Sequence, residues 1–273
     1  MTTSSRMPVV FFGHGSPMVA LETNQTSRAW GEIGAGVPAP KAILAVSAHW
    51  ETRATAVTAM ARPKTIHDFG ASFPKALFDM QYPAPGDPAL AQRVADLLAP
   101  RPVAMDQGEW GLDHGTWSVL VKAFPKADIP VVQLGLDVTL SPAERFDIGR
   151  RLAPLRDEGV LIMGTGNIVH NLRTMTWNAQ MGPAFDWAAR FNDEIRDAIA
   201  KDEPQRVIDF ARLGRDAELS APTPEHLWPL LYILGARGPG DAVRFVNDRI
   251  EYGSLGMTSV VLEDVGAAAR DAA

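Results

Sequence analysis

The chain has 273 residues, of which 46% are hydrophobic, with a formal net charge of -6 and no cysteine. It is long enough for one large domain, and the missing cysteine excludes disulfides, thiolate nucleophiles and cysteine-ligated zinc. The sequence has no Lys/Arg-rich cluster of the kind that binds nucleic acid. No apolar run is long enough to span a membrane, and the amino terminus lacks the apolar core of a signal peptide. We expect a single cytoplasmic domain over residues 1–273, with loose tails at 1–6 and 265–273.

Apolar runs alternate with amphipathic stretches along the chain. This alternation predicts an α/β domain with a mainly parallel central sheet flanked by helices. A capping box at Ser141 predicts where one helix starts, and Gly159 is expected to stop it. We expect strands at residues 9–12, 41–47, 55–60, 129–135, 160–163, 243–247 and 258–263. We expect helices at residues 22–35, 88–99, 142–158, 183–201, 205–213 and 222–235, with another ending at 121.

Histidines follow three of the predicted strands. His14 stands between Gly13 and Gly15, for which we expect positive φ at a sharp turn. His49 and His170 each come just past another apolar strand. Loops after parallel strands share one edge of a sheet, where ligands bind in α/β folds, so these side chains can converge. Converging neutral imidazoles suit Fe(II) or Zn(II).

His114 and His226 lie near predicted helix starts, so five of the six histidines occupy loop or helix-start positions. No local spacing such as His-Glu-x-x-His is present, and separate histidines serving separate polar needs remain an alternative. The Gly-Thr-Gly after the strand at 160–163 lacks the third glycine of a dinucleotide site. The aromatic loop around Phe69 and Phe73 is either a core lid or an apolar wall for an aromatic ligand.

Seven segments together resemble the DODA-type extradiol ring-opening dioxygenases. These belong to the class III, LigB-like group related to the catalytic subunit of protocatechuate 4,5-dioxygenase, and the resemblance runs from about residue 8 to residue 263. The segments are Gly-His14-Gly-Ser-Pro, Ser-Ala-His49-Trp, His67-Asp-Phe…Phe-Pro, Tyr-Pro-Ala-Pro-Gly-Asp-Pro, Leu-Asp-His114-Gly-Thr-Trp, Gly-Asn-Ile-Val-His170-Asn-Leu and Pro-Thr-Pro-Glu-His226-Leu.

The resemblance implies a non-haem Fe(II) enzyme that inserts O2 into a catechol-type ring, DOPA-like or protocatechuate-like, to give a ring-opened semialdehyde. All-histidine sites also suit zinc, so the isolated protein could carry Zn(II). The rival functions are a zinc-dependent hydrolase and a non-catalytic metal-binding protein on the same fold. The expected partners are the small catechol and O2, and self-association of the chain is left open.

The resemblance also implies roles for individual residues. His14, His49 and His226 would be the metal ligands. The wider group uses a carboxylate as third ligand, so Glu225 beside His226 is an open alternative. The expected catalytic residues are His170, as acid/base, and His114, beside the substrate. The residues expected to contact the substrate are Trp50, Asp68, Phe69, Phe73 and Asn167.

Overall fold

The computed structural model of the protein describes residues 6–264. Of the tails expected at 1–6 and 265–273, all but Arg6 lies outside the described residues, and Arg6 pairs with Asp157 at 3.3 Å. The strands are β1 (Val9–Gly13), β2 (Ala42–Thr52), β3 (Ala56–Thr58), β4 (Lys64–Thr65), β5 (Ala104–Asp106), β6 (Gly111–Leu112), β7 (Val131–Asp137), β8 (Val160–Gly166), β9 (Asp241–Val246), β10 (Ile250–Glu251), β11 (Leu255–Gly256) and β12 (Ser259–Asp264). The α-helices are α1 (Gln25–Gly36), α2 (Lys75–Phe78), α3 (Pro88–Leu98), α4 (His114–Ala123), α5 (Pro142–Leu152), α6 (Asp186–Ala200), α7 (Pro204–Ile208), α8 (Arg215–Ser220) and α9 (Trp228–Gly235).

Eight strands form the central sheet, in the order β5-β3-β7-β2-β8-β1-β12-β9. The four middle strands, β7, β2, β8 and β1, run parallel to one another. At one side β12 and β9 are antiparallel, and at the other β3 is antiparallel to β7. The predicted α/β fold with a mainly parallel sheet is therefore confirmed.

Both faces of the sheet are covered, which explains the continuous apolar strands. In β1, Val9 and Phe11 face one core while Val10 and Phe12 face the other. Helices α3, α5, α6 and α9 contribute to the first core, and α1 and α4 contribute to the second. Within the described residues, no helix is both long and apolar enough to cross a membrane.

The helix expected over 142–158 is shorter than predicted. Its capping box is present, because the Ser141 hydroxyl accepts the N–H of Glu144 and the Glu144 carboxylate accepts the N–H of Ser141. The α-helix ends at Leu152, and a 3-10 turn follows over Ala153–Arg156. Pro154 lacks an N–H and so cannot continue the helical hydrogen-bond ladder. Gly159 then takes φ +88°, as its predicted role as a stop requires.

Two local expectations near the histidines are wrong. Strand β2 extends to Thr52, with a register shift between Val46 and Glu51, so His49 lies within the strand rather than past its end. Gly13 and Gly15 are not among the positive-φ glycines of residues 6–264. Gly13 is required instead by close packing, because a Cβ there would lie 2.5 Å from the backbone C and O of Met257.

Candidate active site

The carboxyl ends of three neighbouring strands form the floor of the site. Strand β1 leads directly into His14, whose N–H donates to the carbonyl of Gly166 at the end of β8 (3.0 Å). His49 lies in the irregular carboxyl end of β2, and β2 pairs with β8. Because these strands are parallel neighbours, residues far apart in sequence meet at one edge.

His226 reaches the same edge from a short 3-10 turn, Pro224–His226, that precedes α9. Its carbonyl accepts the N–H of Asn167 at 2.8 Å, which fixes the turn against the end of β8. This close approach requires glycine at 166, because a Cβ there would collide with the carbonyl oxygen of His226. These contacts fix the position of the turn, which places the His226 ring beside those of His14 and His49.

The rings of His14, His49 and His226 face one another. Nε2 of His14 lies 3.0 Å from Nε2 of His49, and the His226 ring centroid lies 5.4 Å and 5.1 Å from those of His14 and His49. One nitrogen from each ring lies within 4.8 Å of the other two. Metal–imidazole bonds of about 2.0–2.1 Å put ligand nitrogens about 3–4 Å apart, so the arrangement fits one ion.

Two other groups of side chains could also hold an ion: His49, Asp68 and His114, or His170, Glu225 and His226. The second is unfavourable because the His170 and His226 rings are stacked, with centroids 3.5 Å and planes 8° apart. Imidazole lone pairs lie in the ring plane, so two parallel rings cannot both aim at one ion. With this stacking, His170 and His226 are not arranged to bind one ion together.

Carboxylates lie behind several of these imidazoles. Glu225 Oε1 accepts from Nδ1 of His226 at 2.9 Å. Asp68 Oδ2 lies 2.9 Å from Nδ1 of His114 and 3.4 Å from Nδ1 of His49. The carboxylate on Nδ1 of His226 fixes the tautomer of that ring and leaves its Nε2 with a lone pair for a metal. Both carboxylates therefore already serve as partners of imidazoles.

Four of the imidazoles, those of His14, His49, His170 and His226, are held neutral. Burial and the neighbouring histidines lower the pKa of His14 and His226 well below 6.5. Burial, and next the nearby His114, lower the pKa of His49 to about 3. Burial also lowers the pKa of His170 to about 4. A neutral imidazole has a free lone pair, which metal binding and proton acceptance both require.

A buried network behind the site was not predicted. The Ser47 hydroxyl donates to Asp113 Oδ1 at 2.7 Å and accepts the N–H of His49 at 3.2 Å. Asp113 also caps α4, where it accepts the N–H of Thr116 at 3.1 Å. Burial, and then the charge of Asp68, raise the pKa of Asp113. The network joins the backbone of His49 to the helix that begins at His114.

His170 is fixed through its backbone. Its N–H donates to the carbonyl of Ser220 at 2.7 Å, and it forms an isolated antiparallel bridge with Leu255. The following residue, Asn171, donates its N–H to the carbonyl of Ser254 at 3.1 Å. The loop after β8 is thus held from two sides, so His170 stays stacked over His226.

A cavity of about 330 Å³ opens over these histidines. Five histidines line it together with aromatic and aliphatic side chains. Such a lining suits a small aromatic ligand. The lining residues are His14, Gly15, Ser16, Pro17, His49, Phe69, Phe73, His114, Asn167, His170, Leu172, Met175, Trp177, His226, Tyr252 and Leu255.

The predicted substrate-contacting residues divide into two groups. Phe69, Phe73 and Asn167 line the cavity, although the Asn167 amide donates to the carbonyls of His14 and Gly256 and so also supports the loops. The remaining two are Trp50 and Asp68, and neither lines the cavity. Trp50 is stacked on Trp110 with centroids 5.9 Å apart, and Asp68 lies behind His49 and His114.

Part of the cavity wall escaped the sequence analysis. Leu172, Met175 and Trp177 follow His170, and Tyr252 and Leu255 come from a distant hairpin. The local signal for the first three is their apolar character, in a segment between the predicted strand at 160–163 and the predicted helix at 183–201. Nothing in the sequence brings residue 252 beside residue 177.

A cluster of neutral imidazoles under an aromatic-walled cavity, at the carboxyl edge of an α/β sheet, defines a candidate metal enzyme for an aromatic substrate. Residues 9–263 match the family described as the catalytic LigB subunit of aromatic ring-opening dioxygenase. The chain therefore belongs to the LigB family, and it is a ring-cleaving dioxygenase as the resemblance implied.

Relatives match over nearly the whole chain. The 4,5-DOPA dioxygenase extradiol of Escherichia coli (strain K12) is 50% identical over 260 residues, 94% of this chain and 95% of that protein. The 4,5-DOPA dioxygenase extradiol of Beta vulgaris is 36% identical over 262 residues, 91% of this chain and 96% of that protein. A crystal structure of an uncharacterized protein from Escherichia coli K12 has a TM-score of 0.81 and 45% identity, covering 94% of this chain and 99% of that chain.

Proposed function

We propose that the protein is an extradiol dioxygenase that opens a catechol-type ring with Fe(II) bound by His14, His49 and His226. The observation that carries the proposal is the convergence of these three imidazoles under an aromatic-walled cavity. The names of the two relatives support a DOPA-like catechol as substrate. Three protein ligands would leave positions for the two ring oxygens and for O2.

Iron is favoured over zinc by the reaction rather than by the ligands. Fe(II) bound there would supply the redox chemistry with O2 that Zn(II) lacks, and would lower the pKa of the catechol hydroxyls beside it. Glu225 serves best as the partner of His226, because its Oε1 faces Nδ1 of that ring at 2.9 Å. It would orient His226 and increase its basicity.

The remaining residues would position the ring and move protons. His170 lines the cavity and is held neutral by burial, so its ring would accept a proton from a catechol hydroxyl and return it later. His114, oriented by Asp68, would hold a ring oxygen by a hydrogen bond. Phe69 and Phe73 would contact the ring through their faces and edges.

The deciding experiment is O2 uptake after anaerobic loading with Fe(II). With L-DOPA, a dioxygenase consumes O2 and forms a yellow ring-opened semialdehyde. Protein loaded with Zn(II), and the His14→Ala variant treated with Fe(II), are the controls and should consume none. If the Fe(II) protein consumes no O2 with any catechol, the proposed function is wrong; hydrolysis of an ester or amide by the Zn(II) protein would then identify a hydrolase.

A further inference from the structure

The cavity walls carry little charge. Apart from the five histidines, the part of residues 6–264 that lines the cavity includes no Asp, Glu, Lys or Arg. Its polar groups are the side chains of Ser16, Asn167 and Tyr252. Arg173 adjoins Leu172 in sequence, but it is exposed and does not line the cavity. Substituents of a ring held at the histidines would therefore meet neutral walls.

The mouth of the cavity is apolar and open to water. Leu172 and Trp177 line the cavity, yet 48% and 71% of their surface remains exposed. The Trp177 ring contacts that of Tyr252, with centroids 5.9 Å apart. We call residues 172–177 the mouth segment. Its residues lie where a side arm on a bound ring would leave the cavity.

The mouth segment is pinned to the hairpin formed by β10 and β11. The N–H of Thr176 donates to the carbonyl of Tyr252, and the N–H of Tyr252 donates to the carbonyl of Gln180, three residues after the mouth segment, both at 2.9 Å. Tyr252 has φ 52°, a left-handed conformation that is uncommon for tyrosine. These contacts fix the hairpin and the mouth segment as one wall, so specificity can be set by its side chains.

A carboxylate attached directly to the ring would be costly in this cavity. An ionised group taken out of water without an opposite charge or sufficient hydrogen bonds is strongly disfavoured. A charged group on a flexible arm differs, because the arm can pass Leu172 and Trp177 and leave its charge in water. Its methylene groups would then cover apolar surface at the mouth.

We propose that the site selects catechols with an uncharged ring substituent, or with an arm that carries its charge past the mouth segment, and rejects catechols with a carboxylate on the ring. This proposal rests on the proposed function and specifies its substrate class. Leu172 and Trp177 are then specificity-determining residues, which act on the arm and not on the ring-opening step.

The test compares three catechols on the Fe(II)-loaded protein: 4-methylcatechol, L-DOPA and protocatechuate. We expect kcat/KM for protocatechuate to be at least about 100-fold below the other two, which is the expected scale for an unpaired buried charge. Anaerobic quenching of tryptophan fluorescence gives the binding order without turnover. Equal values for all three catechols would overturn this inference alone, whereas absence of turnover with all of them would overturn the proposed function.

Two matched variants sharpen the test. Leu172→Arg adds a cation at the mouth and should raise kcat/KM for protocatechuate by about 10-fold or more relative to 4-methylcatechol. Met181→Arg adds the same charge at a position that is 69% exposed and outside the cavity lining. It should leave the ratio of kcat/KM for protocatechuate to that for 4-methylcatechol unchanged. Trp177→Ala should raise KM for L-DOPA more than it raises KM for 4-methylcatechol, which has no arm to reach the mouth segment. An equal effect of the two arginine variants, or an equal loss with both substrates in Trp177→Ala, would contradict the proposed role.

Discussion

Asp68 holds His114 at two points: its Oδ1 accepts the backbone N–H of His114 at 2.8 Å, and its Oδ2 lies 2.9 Å from Nδ1 of the ring. The same Oδ2 lies 3.4 Å from Nδ1 of His49. Burial raises the pKa of Asp68, but contact with His114 and His49 outweighs burial and lowers it overall. One ionised carboxylate therefore orients two imidazoles that we assign to different tasks.

Replacing the Asp68 carboxylate should weaken both metal binding through His49 and the handling of the substrate by His114. Asp68→Asn keeps the side-chain size but loses the charge, so we expect metal affinity and kcat each to fall about 10–100-fold. Metal content after dialysis and kcat at saturating Fe(II) measure the two effects separately. Asp79→Asn is the control, because Asp79 is exposed and pairs with Lys75 at the surface. Unchanged metal content and kcat in Asp68→Asn would show that the contacts have no functional role.

The stacked pair of His170 and His226 gives opposite expectations for two variants. His226→Ala should lose the metal, whereas His170→Ala should keep it and lose turnover by about 10²–10⁴-fold, the usual contribution of a general acid/base. His67→Gln is the control, because His67 contacts the carbonyl of Met80 and does not line the cavity. Metal analysis and O2 uptake are the measurements. Metal loss in His170→Ala with retention in His226→Ala would reverse the assignment.

Glu225 is tested by an isosteric change. If it orients His226, Glu225→Gln should retain the metal with affinity weakened about 10–100-fold. If it is itself the third ligand, the variant should lose the metal as completely as His14→Ala. Titration with Fe(II) under anaerobic conditions distinguishes the two results. Glu218→Gln is the matched control, because Glu218 is exposed and pairs with Arg215.

Gly115 leaves the space that His49 occupies. A Cβ there would lie 2.7 Å from Cδ2 of His49 and 2.7 Å from Oγ of Ser47. Gly115→Ala should displace His49, reduce metal binding and cost about 1–3 kcal/mol of unfolding free energy. Gly31→Ala in α1 is the control, because its Cβ would meet its nearest neighbour, the Lys122 carbonyl oxygen, at 3.6 Å. There alanine should stabilise the helix by about 0.5–1 kcal/mol. Denaturant titrations measure both; equal stability of the two variants would contradict the packing argument.

The metal-free protein should lose stability as pH falls below neutral. His49 and His170 have folded pKa values of about 3 and about 4, below their ordinary value of 6.5. Between these values the unfolded chain binds protons that the folded protein does not, so stability is full above pH 6.5 and falls toward pH 4. Each such histidine contributes a slope of up to about 1.4 kcal/mol per pH unit.

Denaturant titrations with a chelator, from pH 7 to pH 5, measure this slope. His170→Gln removes one titrating group and should give a shallower slope than the parent protein. A flat profile over that range in the parent protein would show that the imidazoles are not held neutral.

Much of the fold is readable from the sequence because its physical causes are local. Residues 9–12 are apolar without interruption, as a strand covered on both faces must be, and the capping box at Ser141 fixes a helix start. The end of β2 is not local in this sense. The register shift after Val46 depends on pairing with β7, so the sequence alone ends the strand too early and puts His49 in a loop.

The candidate site shows the same difference between features with local causes and features that depend on tertiary pairing. The strand-end rule accounts for His14 and His170, because the parallel order of β1, β8 and β2 makes their ends neighbours. It says nothing about Trp50, which the irregular end of β2 turns toward Trp110 rather than the cavity. Tyr252 comes beside Trp177 through tertiary pairing alone. Side chains that depend on two distant segments meeting could not be inferred.

The histidines assigned to the metal are His14, directly after β1, His49, on β2, and His226, shortly before α9. An ion bound by all three would cross-link the turn after β1 to the start of α9, more than 200 residues later, in a chain with no cysteine to do so. Binding to the folded form alone, at a free concentration 1,000 times the dissociation constant, stabilises a protein by about 4 kcal/mol. A shortage of metal would then shorten the lifetime of the enzyme as well as slow its reaction.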